Sequence, residues 1–350
     1  MSYEKNLKEI RPSDQAAYEA CRNKLNQIAK PLGSLGSLET LLEKIGAIAG
    51  STKINLRKKG VLVFCADNGV IVHGVSQSDS SVTTAIAHNL AAGTASVCVM
   101  AKACGADVFP IDMGMKDTVA GLMDCKLMQG TKDMVTGPAM SRDTAIAAIE
   151  TGIALVKEKK EQGYGILATG EAGIGNTTTS SAVAAVLLGR PVDQVCGRGA
   201  GLSSEGLVRK CEAIQNALKV NQPDACDPVD VLAKVGGLDI AGMVGAFLGG
   251  AIYGIPVVMD GVISATAALC AVRLHAHVKD YILPSHMSAE PAGQMLCDEL
   301  GLEPIVHAGM HLGEGTGAVL LFPILDVALA VYEYAATFEE IAVEAYVAQK

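Results

Sequence analysis

The strongest constraint in this sequence is a recurring unit: a short, mainly apolar run that stops at an acidic or glycine-rich pair. Val61-Leu-Val-Phe-Cys-Ala66 stops at Asp67-Asn68-Gly69. The run at 106–111 stops at Asp112, that at 165–168 at Gly170-Glu171, and that at 255–259 at Asp260-Gly261. Shorter runs follow at 281–283, before Pro284-Ser285, and at 304–306, before His307-Ala-Gly. None alternates polar with apolar, so both faces of each strand must be covered, which is the mark of a parallel sheet. Helical patterning separates most of them, for example over 82–102, 178–188 and 264–275. Such a chain is α/β: a doubly wound, mainly parallel, Rossmann-like sheet, expected over residues 55–315. Leu25, Ile28, Leu35, Leu38, Leu41 and Ile45 recur at loosely helical spacing, interrupted at Pro31-Leu-Gly33-Ser-Leu-Gly36. The apolar tail from Thr316 also reads as helical. Residues 1–54 together with 316–350 are therefore expected to form a small helical domain.

Bulk properties narrow the function. Half of the 350 residues are hydrophobic and 19% are charged, so a large core is available and long disorder is excluded. Net charge is −9, and the one short basic cluster, Arg57-Lys58-Lys59, reads as a solvated turn, so nucleic acid is not the expected partner. The ten cysteines are scattered, and Cys65 and Cys270 sit inside apolar runs. They read as small buried hydrophobes in a reducing, cytoplasmic setting. Residues 1–8 are polar and do not resemble a signal peptide. The most apolar stretch, 240–255, is short and rich in glycine; it suits a buried helix rather than a membrane span.

In sheets of this kind ligands bind beyond the C-terminal strand ends, and there the sequence places Asp67, Asp112, Glu171 and Asp260, with Glu314 shortly after the last run. Asp112 reads better as a cap or a solvated group. Gly170-Glu-Ala-Gly-Ile-Gly-Asn-Thr-Thr-Thr179 follows a strand and opens a helix. Its glycines let backbone approach a ligand, and the helix N-terminus favours an anion. It is neither common phosphate cradle: the third glycine of the dinucleotide fingerprint is missing and no Gly-Lys-Ser/Thr follows. Hydride transfer with NAD and ATP hydrolysis are thereby demoted. Gly197-Arg-Gly-Ala-Gly201 is a second glycine-rich turn, with Lys210 beyond it on a helix, where spacing alone leaves a phosphate contact and a solvated lysine equally open. His311-Leu-Gly-Glu314-Gly-Thr-Gly317 sets one carboxylate among three glycines, an arrangement that suits a general base. The seven histidines have no metal-ligand spacing, and no Ser-His-Asp arrangement can be read from their order.

These blocks resemble the nicotinate-nucleotide:dimethylbenzimidazole phosphoribosyltransferase family. Lys30-Pro-Leu-Gly-Ser-Leu-Gly36, Ala66-Asp-Asn-Gly69 with His73-Gly-Val-Ser76, and the turn from Gly170 to Thr178 carry the likeness. So do Gly237-Leu-Asp-Ile-Ala-Gly242, Met259-Asp-Gly261, Ser285-His-Met-Ser-Ala-Glu290 and the run from His311 to Gly317. The likeness implies transfer of phosphoribose from nicotinate mononucleotide to an aromatic base, with inversion, giving an α-ribotide for the lower ligand of a cobamide. It implies no cofactor and no metal. It makes Glu314 the base and Glu171 a second acid in the site. It puts Gly173, Gly175, Asn176, Thr177, Thr178 and Lys210 around the nucleotide phosphate, and Arg198, Asp260 and Ser288 near ribose or phosphate. Ser76, Ser80, Thr84, Ala172 and Leu312 are expected to line the base pocket. It further implies a homodimer whose partner helps wall that pocket. Many relatives carry a larger aliphatic residue at position 172, and the segment 76–84 is unusually small and polar, so the pocket's shape leaves the accepted ring open among dimethylbenzimidazole, other benzimidazoles, adenine and phenols. Two alternatives remain beside this reading: a phenol-activating relative working with a paralogous subunit, and a non-catalytic nucleotide-binding subunit.

Overall fold

The computed structural model describes residues 3–347. Met1, Ser2 and residues 348–350, the ends of the expected helical domain, lie outside the described residues. The chain opens with α1 (Tyr3–Leu7), α2 (Gln15–Gln27) and α3 (Ser37–Ala49). The Asp14 carboxylate accepts the Ala17 N–H to start α2, and Gly50, in the left-handed region, closes α3. β1 (Lys59–Ala66) is followed by α4 (Ser80–Ala91), α5 (Ser96–Ala103), β2 (Ala106–Gly114) and the short β3 (Met123–Asp124). α6 (Arg142–Glu161) crosses back to β4 (Ile166–Ala172). Five helices come next: α7 (Asn176–Leu188), α8 (Val192–Val195), α9 (Ser204–Asn221), α10 (Pro228–Val235) and α11 (Leu238–Tyr253). β5 (Val257–Met259), α12 (Val262–Leu274), β6 (Ile282–Pro284), α13 (Ala292–Leu300) and α14 (Thr316–Tyr334) complete the order.

The six strands form one sheet in the order β3-β2-β1-β4-β5-β6, with every pairing parallel. The expected doubly wound sheet is the fold of this chain. Side chains of β1 alternate between two apolar layers. Leu62, Phe64 and Ala66 join residues of α6, α7, α11 and α12. Val61, Val63 and Cys65 join Leu25 of α2, Leu42 of α3, Val97 of α5 and Phe322 of α14. Mainly apolar strands are thus explained by helices on both faces. Helices α2, α3 and α14 share one core with the second face of the sheet, whereas Tyr3 of α1 packs on the first.

Two details differ from the sequence reading. No apolar run announces β3, which pairs with β2 through only Ile111–Met123 and Asp112–Asp124. Residues 304–306 form no strand; Val306 makes a single parallel bridge to His286, and Pro304 has no N–H to extend a ladder. The apolar stretch at 240–255 is the buried helix α11. It lies backbone against backbone on α6, since a Cβ on Gly245 would overlap the Ile149 carbonyl and the Gly152 α-carbon. Ser80–Ala103 and Thr316–Tyr334 have the length and hydropathy of a membrane span. The first is divided between α4 and α5, and the second lies on the sheet, with Val319, Leu321, Phe322 and Leu325 in the core. The strand order reverses between β1 and β4, and the loops beyond their C-terminal ends frame the crevice in which such folds bind ligands.

Candidate active site

A cleft of about 280 Å³ opens at that crevice. Segments following β1, β4, β5 and β6 line it, together with residues 311–314 ahead of α14. Glu171 belongs to β4 itself, opposite Phe64 of β1, and is buried. Asn176, at the first turn of α7, gives one amide hydrogen to Glu171 Oε2 and another to Asp239 Oδ2, the latter at 3.1 Å. Burial, reinforced by the charges of Asp239, Asp260 and Glu314, pushes the Glu171 carboxyl well above the ordinary carboxylate range. Burial, helped by the charge of Asp67, carries Asp239 up to about 6, against the pull of Asn176 and the Ile240 amide.

Glu314 stands on unusual backbone. Its φ is +62°, between Gly313 at +88° and Gly315 at +92°. Side-chain-bearing residues enter this left-handed region at a cost of roughly 1–2 kcal/mol, so surrounding contacts must hold it there. On one side Gly170 presses against it: a Cβ at 170 would overlap the Glu314 carbonyl. On the other, the Val97 N–H in the first turn of α5 donates to Glu314 Oε2 at 3.3 Å. Asp260, just past β5, lines the floor of the cleft and is also engaged by backbone. Its Oδ1 accepts the Ala318 N–H at 2.9 Å and its Oδ2 the Gly315 N–H at 3.2 Å. Burial raises the Asp260 carboxyl, while the charge of His286, with Nδ1 3.7 Å away, and these amides pull it back.

The first turn of α7 carries no side-chain cap, and Gly175 at φ +94° stands at its N-cap. Gly173, Gly175, Asn176 and Thr177 line the cleft here, as do Arg198 and Ser288. Arg198 gives its guanidinium to the Leu202 carbonyl (2.7 Å) of its own loop and to Ser204 Oγ (3.2 Å) at the start of α9. Thr178 is fully buried and turned from the cleft. Lys210 is likewise fully buried and does not line the cleft; its Nζ donates to Thr177 Oγ1 (2.8 Å) and the Gly197 carbonyl (3.0 Å). Thus Lys210 ties the two glycine-rich turns together from behind, and burial lowers its pKa.

Of the expected base-pocket residues, Ser76, Ala172 and Leu312 line the cleft, whereas Ser80 and Thr84 do not. The Thr84 hydroxyl donates instead to Asp117 Oδ2 at 2.8 Å. Read as a helix, α4 presents positions four apart on one face, and the pair facing the cleft is Val82 and Ile86. This wall is apolar rather than polar. The sequence reading also missed Asp239, His286 and Glu290. Glu290 lines the cleft and accepts the Gly199 N–H through Oε1 at 3.1 Å, tying two rims together. All three lie within motifs already singled out, but only their burial and partners reveal what they hold. Among the described residues, no three His, Cys, Asp or Glu side chains are placed to bind a metal ion.

The cleft therefore combines two glutamates, an uncapped helix N-terminus suited to an anion, and an apolar wall suited to a ring. Comparison with known proteins identifies the relatives of this chain. A family model described as phosphoribosyltransferase matches residues 10–343. The nicotinate-nucleotide–dimethylbenzimidazole phosphoribosyltransferase of Ruminiclostridium cellulolyticum is 43% identical, over 99% of both chains. That of Clostridium acetobutylicum is 44% identical over the same shares. Among solved structures, CobT from Thermus thermophilus superposes with a TM-score of 0.89 at 34% identity, covering 94% of this chain and 99% of that one.

Proposed function

This chain belongs to the nicotinate-nucleotide–dimethylbenzimidazole phosphoribosyltransferase family, and from that premise we propose that it moves the 5-phosphoribosyl group of nicotinate mononucleotide to a benzimidazole-type base. The unprotonated ring nitrogen of the base attacks C1′ as the C1′–N bond to nicotinate breaks. The electron pair of that bond neutralises the pyridinium, so nicotinate leaves without acid assistance. Attack from the opposite face inverts C1′ from β to α. The proton on the other ring nitrogen passes to Glu314. The observation carrying this reading is Glu314 itself, a carboxylate held on left-handed backbone at the edge of an apolar-walled cleft.

The remaining residues fit the same scheme. The phosphate sits at the uncapped turn from Gly173 to Thr177, where helix N–H groups and the Lys210 charge behind Thr177 oppose its charge. Glu171, whose carboxyl burial and neighbouring carboxylates push up, hydrogen-bonds to a ribose oxygen. Val82 and Ile86 pack on the base. The protein works as a homodimer: the matched turn from Lys30 to Gly36 is largely exposed and lies outside its own cleft, available to a second copy, and Leu312 is exposed at the cleft mouth. Ten free thiols suit a reducing, cytoplasmic compartment.

Incubation with nicotinate mononucleotide and a panel of benzimidazoles, adenine and phenols, with products identified by mass spectrometry, tests the transfer. α-Ribotides of benzimidazoles are expected; turnover of phenols alone would overturn the choice of base. Glu314→Gln should lower kcat by on the order of 100-fold or more while leaving nucleotide binding within a few-fold. Turnover near the wild-type rate would remove Glu314 from the role of base.

A further inference from the structure

Asp260 is a buried carboxylate that none of the proposed chemical steps uses. Its two oxygens are both engaged by backbone of the segment that carries Glu314: Oδ2 by the Gly315 N–H at 3.2 Å, Oδ1 by the Ala318 N–H at 2.9 Å. These are amides at the start of α14, a helix with no side-chain cap of its own. A carboxylate from β5 thus does what a capping residue would do. Behind it, the Asp260 N–H donates to Ser264 Oγ at 3.1 Å, and Ser264 Oγ is 2.7 Å from Thr169 Oγ1 in β4. Beside it, the His286 ring lies where a Cβ on Gly317 would be. Ser285, whose Oγ donates to the Met259 carbonyl at 2.6 Å, fixes the chain that carries the ring.

We propose that Asp260, backed by His286, is the positioning residue for Glu314: by gripping the Gly315 and Ala318 amides it anchors the first turn of α14 and so holds the left-handed backbone that aims the Glu314 carboxylate at the attacking base. The proposal rests on the reading of Glu314 as the base. It gives Asp260 a task separate from the expected contact with ribose or phosphate, since each carboxylate oxygen already accepts a backbone amide. Asp260→Asn keeps one carbonyl acceptor and places an NH₂ group against an amide donor. Gly315 and Ala318 cannot both be satisfied, and the turn shifts.

A double-mutant cycle of Asp260→Asn and Glu314→Gln, read by steady-state kinetics and by calorimetric binding of nicotinate mononucleotide, decides the matter. Asp260→Asn is expected to lower kcat roughly 10- to 100-fold, the scale of a misplaced catalytic group, with KM for nicotinate mononucleotide changed less than about threefold. In the Glu314→Gln background the same substitution should cost almost nothing further, because an absent base cannot be misplaced. His286→Gln should give the same pattern with a smaller fall, and serves if Asp260→Asn does not fold. Losses that multiply, or a KM that rises with kcat unchanged, overturn the positioning role in favour of direct substrate contact. If Glu314→Gln alone is fully active, the reading of the base has failed, and that result is distinct from either outcome.

Discussion

Asp239 lies fully buried at the start of α11, hydrogen-bonded to Asn176 and the Ile240 amide, with a carboxyl pushed up to about 6 by desolvation. An acid whose folded pKa exceeds its unfolded value keeps its proton longer in the folded chain. The folded state is therefore favoured most below the unfolded pKa and loses stability as pH rises to the folded one. For Asp239 that window runs from about 4 to about 6, and the loss is roughly 3 kcal/mol. Glu171, raised for the same reason, adds to the trend. Urea unfolding across this window should show a shallower decline for Asp239→Asn than for the native protein; equal slopes would rule Asp239 out as a source. None of this is legible in the sequence, where Asp239 is one acid beside a glycine pair. Lys210 shows the same gap, because spacing placed it near a phosphate turn but could not tell a side chain reaching out from one buried behind Thr177.

At the scale of elements, pattern was a good guide wherever an apolar run was long enough to need cover on two sides. β1 and α11 were legible for that reason, and Glu314 was legible as the acid among glycines. Short pieces were not. β3 and the 304–306 bridge are settled by single tertiary pairings, for which local composition has no signature. α4 was misjudged through its phase: a segment with many hydroxyls still turns Val82 and Ile86 to the cleft. The contact of α6 with α11 makes a sharper demand. A methyl at Gly245 meets the α6 backbone, which cannot move aside as a flexible side chain would. Gly245→Ala is expected to reduce unfolding free energy by about 1–3 kcal/mol, read from the urea midpoint at constant slope. An unchanged midpoint would mean that the two helices part freely.

For the molecule as a whole, the proposed homodimer predicts a light-scattering mass of twice 36.1 kDa at assay concentration; a single-chain mass with full activity would exclude it. The sheet, the two helical layers and the place of the cleft follow from topology alone, whereas the turn from Lys30 to Gly36 has no task inside its own chain's cleft. The backbone at Glu314 has a consequence for how such a protein can change over time. At φ +62° the fold would be most comfortable with glycine, as at positions 313 and 315. Selection for heat resistance alone would therefore drift toward erasing this side chain, and a copy of the gene released from its duty would lose the carboxylate early. On the proposed reading of Glu314 as the base, an intact glutamate at this position is a molecular record of continuing use.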